Sequence, residues 1–228
     1  MEIFLIILWI LLTLAVVSFS GILAKRYGVE YLIALVPALM IIANVLATKI
    51  VMFGPITITA GVIAFSMTFL VTDLISEKWG KKYATRAVWI GFYANVILII
   101  CIYIAIAWEA APFASELGEM FNNLLGLAPR IAFAGLIAYL VSQHHDVWAF
   151  NFWKKLTRGK HLWLRNNAST MTSQLLDSAI FGIIGFYGVI PIIPLIFGQW
   201  IVKLLIAALD TPFMYLVVSI MDRIKEKH

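Results

Sequence analysis

Charge is what this chain has least of: Asp, Glu, Lys and Arg make up 13% of its 228 residues, about half the share usual in soluble domains. With 63% hydrophobic residues and a mean hydropathy of +0.97, that scarcity excludes a solvated surface over most of the chain. Cysteine is scarcer still. Cys101 stands alone in an apolar run, which excludes an intrachain disulfide and leaves it as a small apolar filler. No G-x-x-x-x-G-K-[ST] is present, so the chain does not hydrolyse ATP by a P-loop. G-x-S-x-G and H-E-x-x-H are missing too, and with them any motif for a serine hydrolase or a zincin. Long polar stretches are lacking as well, which leaves no room for a soluble domain, and no convincing internal repeat is visible.

What remains is a series of apolar runs of about 20 residues, each long enough to cross about 30 Å of hydrocarbon as a helix. Seven spans are expected: 3–23, 31–52, 57–76, 87–108, 130–152, 168–190 and 193–221. The first is read as a helix rather than a signal peptide, because no basic residue precedes it and Ser18, Ser20 and Gly21 make a weak cleavage site. The predicted class is an all-α polytopic bundle of seven membrane-spanning helices. Basic residues follow spans one (Lys25, Arg26), three (Lys78 to Arg86), five (Lys154 to Arg165) and seven (Arg223 to Lys227), and the connections between lack them. The positive-inside rule then puts the N-terminus outside and the C-terminus in the cytoplasm. This alternation explains the pI of about 9.3 and removes nucleic acid as a partner. Phe113, Leu117, Met120, Phe121 and Leu124 in the long outer connection recur at helical spacing, as in a helix lying on the membrane surface.

Topology leaves Lys49, Arg130 and Lys203 unexplained, together with the acids Asp73, Glu77, Asp146, Asp177 and Asp210. An ionisable group in a span costs roughly 2.5–3.5 kcal/mol on insertion scales, so these groups are expected to serve one another or a ligand. Lys49 and Arg130 lie near span ends, where their long stems can reach water. At about 100° per residue, the polar residues fall into stripes. Asn166, Thr170, Ser173, Gln174, Asp177 and Phe181 share one face of span six, and Tyr139, Gln143, Asp146 and Phe150 one face of span five. Ser66, Phe69, Asp73 and Glu77 align in span three, Gln199, Lys203 and Asp210 in span seven, and Asn44 with Thr48 in span two.

Lipid cannot satisfy these stripes, which should converge on one interior. Carboxylates and amides flanked by rings suit a planar polar heterocycle. The substrate-contacting set expected is Asn44, Phe69, Asp73, Glu77, Tyr139, Gln143, Asp146, Asn166, Gln174, Asp177 and Phe181, with Lys203 and Asp210 balancing charge. Lys203 should pair with Asp177 or Asp210. Asn95, Ser142 and Ser178 read as helix-to-helix hydrogen-bonding residues. Adjacent His144 and His145 point about 100° apart and do not share a metal, so neither a metal nor a cofactor is expected.

Residues 31–222 resemble the queuosine-precursor transporter family, also called vitamin-uptake-transporter-like. The resemblance rests on Asn44 in ANVLATK, on T-D-x-x-x-E-x-x-G (Thr72, Asp73, Glu77, Gly80), and on R-I-A followed by S-Q-x-x-D (Arg130, Gln143, Asp146). It continues in N-x-x-S and Q-x-x-D-S-x-x-F (Asn166, Ser169, Gln174, Asp177, Phe181), with a weaker match around Lys203 and Pro212. It implies a six-helix core in residues 31–228 with residues 1–30 as an extra N-terminal helix, and an importer in the inner membrane of a prokaryote, not an enzyme. The implied substrate is 7-cyano-7-deazaguanine or 7-aminomethyl-7-deazaguanine, a deazapurine base salvaged for tRNA modification. The residues themselves leave open a substrate-capture subunit driven by a separate ATPase and, with less support, an intramembrane enzyme. A homo-oligomer is compatible with them, and lipid is the implied surrounding partner.

Overall fold

The structure, a computed structural model, describes residues 2–47, 49–53, 56–125, 129–188 and 192–223. Among the described residues eight α-helices follow in the order α1 (Glu2–Tyr27), α2 (Glu30–Ala47), α3 (Val62–Lys78), α4 (Lys81–Ala107), α5 (Ser115–Leu125), α6 (Pro129–Leu156), α7 (Leu162–Phe186) and α8 (Ile192–Arg223). A two-stranded antiparallel hairpin, β1 (Ile50–Phe53) and β2 (Ile56–Thr59), joins α2 to α3 with Ile50 opposite Thr59 and Phe53 opposite Ile56.

The hairpin departs from expectation, since its strands were assigned to the ends of spans two and three. Runs such as Ile50–Phe53 and Ile56–Thr59 are apolar and rich in β-branched residues, a pattern that fits a short strand as well as a helix end. The hairpin folds over the C-terminal end of α2. Ala60 N–H donates to the Lys49 carbonyl at 2.8 Å, and Gly61 approaches α2 so closely that a Cβ there would meet the Ala43 carbonyl oxygen at 2.1 Å. Only glycine permits that approach.

Four helices are long and apolar enough to cross a membrane among the described residues: α1 (from Phe4), α2, α4 and α8. The helices that carry the densest polar stripes, α3, α6 and α7, are not among them. α3 is the enclosed element, with 14 of its 17 residues buried against its neighbours. α4, next in the chain, buries only five of 27 and turns Trp89, Tyr93, Ile97, Ile100 and Ile104 outward. Helix α1 is no loose appendage: Leu14, Val17 and Ala24 are buried, and Gly21 lies against Val217 of α8 and Leu74 of α3. Helix α5 forms in the long connection as the spacing predicts and buries none of its residues, so its apolar face is free.

Several basic residues expected in loops lie on helices. Lys81, Lys82 and Arg86 belong to the first turns of α4, and Arg165 to the first turn of α7. Thr48 lies outside the described residues, as does the side chain of Arg130.

Candidate functional site

A cavity of about 100 Å³ opens at the hairpin end, where α2, β2, α3, α4, α6, α7 and α8 converge. Its polar lining is Thr59 from β2 and, from the helices, Asn44, Asn95, Asp177, Gln199 and Lys203, and Phe65 and Phe181 supply aromatic walls. Each of these helical polar groups arrives from a different helix except the last two, which stand one turn apart on α8. Asn44 Nδ2 donates to Asn95 Oδ1 at 2.5 Å and to its own helix at Met40 O, 3.1 Å. Lys203 and Asp177 form an ion pair, both nearly closed to solvent. Ser142 Oγ donates to Asp177 Oδ1 at 3.1 Å, and the Lys203 ammonium lies 5.1 Å from the centre of the Phe65 ring.

A polar column leads from the cavity toward the other end of the bundle. Gln143 is held at both ends of its amide, with Nε2 donating to Thr68 Oγ1 at 2.6 Å and Oε1 accepting from Thr72 Oγ1 at 3.2 Å. One turn on, Asp73 of α3 and Asp146 of α6 bring their carboxyl groups into contact. Ser169 and Thr170 of α7 reach Asp73 Oδ2, each at 3.4 Å, and His145 Nδ1 stands 3.0 Å from Ser173 Oγ. On α8, Asp210 Oδ1 accepts from Asn166 Nδ2 at 3.4 Å. The column ends at Glu77, which faces Lys154 at 3.1 Å and Arg165 at 3.2 Å.

The stripes therefore converge, but in layers rather than around one ligand-sized space. Of the expected set, Asn44, Asp177 and Phe181 line the cavity together with Lys203. Tyr139 and Phe69 stand behind the cavity wall, each with its ring edge-on to Phe65, at 6.1 and 5.8 Å. Gln143, Asp73, Asp146, Asn166, Asp210 and Glu77 belong to the column. Gln174 is fully buried with neither end of its amide partnered. Lys203 takes Asp177 and not Asp210. Lys49 is exposed beside the hairpin, as a rim residue should be.

Sequence reasoning left Asn95, Phe65 and Arg165 out of the expected site. Asn95 does bridge helices, as expected, yet it also faces the cavity. Phe65 lies one turn ahead of Phe69, and that spacing was its available signal. Arg165 was counted with the basic loop but is almost wholly buried, with its guanidinium 5.6 Å from the centre of the Phe150 ring.

A family profile described as "Putative vitamin uptake transporter" matches residues 59–217, from the end of β2 into the last turns of α8. The chain is similar to a Bacillus subtilis (strain 168) protein named "Probable queuosine precursor transporter", 28% identical over 196 residues that cover 84% of this chain and 85% of that protein. It is also similar to the "Queuosine precursor transporter" of Escherichia coli (strain K12), 29% identical over 129 residues. A Haemophilus influenzae protein named "Probable queuosine precursor transporter" is 28% identical over 129 residues. The chain spans about half the length of these last two relatives, 55% and 52%. No solved structure matches the chain at a significant level.

Proposed function

The chain belongs to the vitamin uptake transporter family, and from that premise we propose that it carries queuosine precursors, 7-cyano-7-deazaguanine or 7-aminomethyl-7-deazaguanine, into the cell. It is an integral multi-pass protein of the prokaryotic inner membrane and a transporter rather than an enzyme. The names of its relatives support the solute class.

The single observation that carries the reading is the composition of the cavity. A deazaguanine presents adjacent ring N–H and exocyclic amine donors, which a carboxylate such as Asp177 accepts. Its ring carbonyl meets the amide donors of Asn44, Asn95 or Gln199, and Phe65 and Phe181 contact its faces. In this arrangement Lys203 pairs with Asp177 while the base is absent. The column beyond the cavity supplies polar side chains along the route to the other end of the bundle. Seven spans with the N-terminus outside complete the proposal: α3, α6 and α7 cross with the four apolar helices because their polar faces are enclosed by them, and α1 is the addition to a six-helix core.

Purified protein in liposomes should take up labelled 7-cyano-7-deazaguanine, and Asp177→Asn should abolish uptake while the variant still inserts in membranes. Absence of binding to either deazaguanine, with binding to an unrelated vitamin, would overturn the solute assignment. Single cysteines introduced in a Cys101→Ser background at Glu109 and Lys160 should react with an impermeant reagent from opposite sides of the membrane; labelling from the same side would refute the span count.

A further inference from the structure

We propose that Asp73 and Asp146 hold one proton between them and that this proton is carried together with the solute. The transporter family supplies the premise, and the identity of the solute does not enter the argument.

Asp73 and Asp146 are fully buried, and their carboxyl groups are within hydrogen-bond contact of each other. Carboxylates only accept, so a hydrogen bond between two of them exists only when one carries a proton. The surrounding donors do not remove that requirement. Ser169 and Thr170 both point at Asp73 Oδ2 and leave Asp73 Oδ1 without a partner. Ser173 donates to the Ser169 carbonyl at 2.7 Å and Ser169 to the Asn166 carbonyl at 3.1 Å, so the two hydroxyls that also approach Asp146 have their protons engaged by backbone and leave both of its oxygens without a well-formed hydrogen bond. Three orphaned carboxylate oxygens without solvent access are a costly arrangement for two negative charges.

Fixed charge does not balance them either. From α8, Lys203 is engaged by Asp177, and Asp210 adds a further acid whose donor is Asn166. Arg165 of α7 and Lys154 of α6 both face Glu77 of α3. His145, next to Asp146 on α6, directs Nδ1 at Ser173 Oγ rather than at either carboxyl. Among the described residues, each basic side chain near the dyad is thus turned to another group, and the missing positive charge has to come from solution.

The geometry favours a proton over a metal cation. A bound Na⁺ would draw hydroxyl lone pairs toward the centre and hold the carboxylates apart, whereas here Ser169 and Ser173 donate to backbone carbonyls of their own helix, Thr170 donates toward Asp73 at 3.4 Å and the two carboxyls are in hydrogen-bond contact. The dyad also stands where a mobile charge could be read by the rest of the column. Gln143 is one turn from Asp146 on α6, and the unpartnered Gln174 is one turn from Thr170 on α7. The proton would join the dyad from water at one end of the bundle and leave to water at the other.

In proteoliposomes with equal Na⁺ on both sides, an inward proton gradient should drive wild-type accumulation of labelled 7-cyano-7-deazaguanine. Asp73→Asn and Asp146→Asn should each lose accumulation yet still exchange external for internal label, which also reports that they fold. Accumulation that follows a Na⁺ gradient and ignores pH, or full accumulation in both variants, would overturn the proposal. Two further readouts do not depend on those variants transporting. Adding solute to weakly buffered wild-type vesicles should raise the external pH, and no change counts against proton carriage. The infrared carbonyl band of protonated carboxyl groups should be present in solute-free wild type and weaker in each Asn variant; equal bands in all three would also sink the idea. If no deazaguanine is carried, the solute assignment falls, while the infrared comparison still decides the proton.

Discussion

Asp177 on α7 and Asp146 on α6 are shielded from solvent to nearly the same degree, yet Asp177 meets the cation of Lys203 while Asp146 meets another acid and the neutral hydroxyls of Ser169 and Ser173. The two regions lie at successive depths in one bundle. At the cavity the charge is balanced by a resident cation, so the pair presents a carboxylate to a ligand with its countercharge already in place. In the column the balance is left open, and a group without a resident cation is one whose charge can change during a transport cycle. Position in the fold produces the difference: α8 brings Lys203 to the hairpin-end half of the bundle, and two turns later it brings Asp210, a third acid, to the level of the dyad.

The comparison breaks most visibly if Lys203 is removed. Lys203→Met leaves Asp177 buried without its cation and should cost about 3–5 kcal/mol of stability, read as unfolding in detergent by heat or denaturant. Lys203→Met combined with Asp177→Asn should restore most of the loss while leaving the protein unable to bind solute. Little change in the single variant would mean that the cavity pair is no more balanced than the dyad. A smaller effect, on binding alone, is expected from Phe181→Ala: loss of one stacking wall should weaken deazaguanine binding by about 1–3 kcal/mol, roughly five- to 150-fold in Kd. Calorimetry or equilibrium dialysis checks it, with unfolding as the control.

Much of this division was legible in residue spacing and some was not. The polar faces of α3, α6 and α7, the need of Lys203 for a buried acidic partner, though not the choice of Asp177 over Asp210, and the helix at Ser115–Leu125 follow from 3.6-residue periodicity and from the cost of charge in lipid. Periodicity fixes which residues share a face but not how far one helix is shifted along its neighbour. The meeting of Asp73 with Asp146, and the separation of both from Asp177, therefore had no signal in a single chain. Arg165 was hidden by its company: four other basic residues stand between 154 and 160, and a count of charge does not reveal that one helix turn rotates its guanidinium onto Phe150. The hairpin was hidden because β-branched apolar residues suit either element.

Between the two regions stands Gln143, and Thr72→Val tests whether that layer divides or joins them. Thr72 is fully buried, and its Oγ1 lies 2.9 Å from the Phe69 carbonyl, 3.1 Å from the Thr68 carbonyl and 3.2 Å from Gln143 Oε1. It has a single proton for three acceptors, so the bond to Gln143 is one share of a forked interaction. Valine keeps the branched shape, removes the hydroxyl and leaves Gln143 Oε1 without a donor, while Nε2 stays on Thr68. The expected loss is about 0.5–1.5 kcal/mol of stability, the usual range for one neutral hydrogen bond. Solute affinity should not change, because neither Thr72 nor Gln143 lines the cavity. Proton-driven uptake should slow, because the amide that spans the distance from the cavity level to Asp146 is then held at one end only. A loss of affinity as large as that of Phe181→Ala would place Gln143 in the solute site and merge the two regions into one.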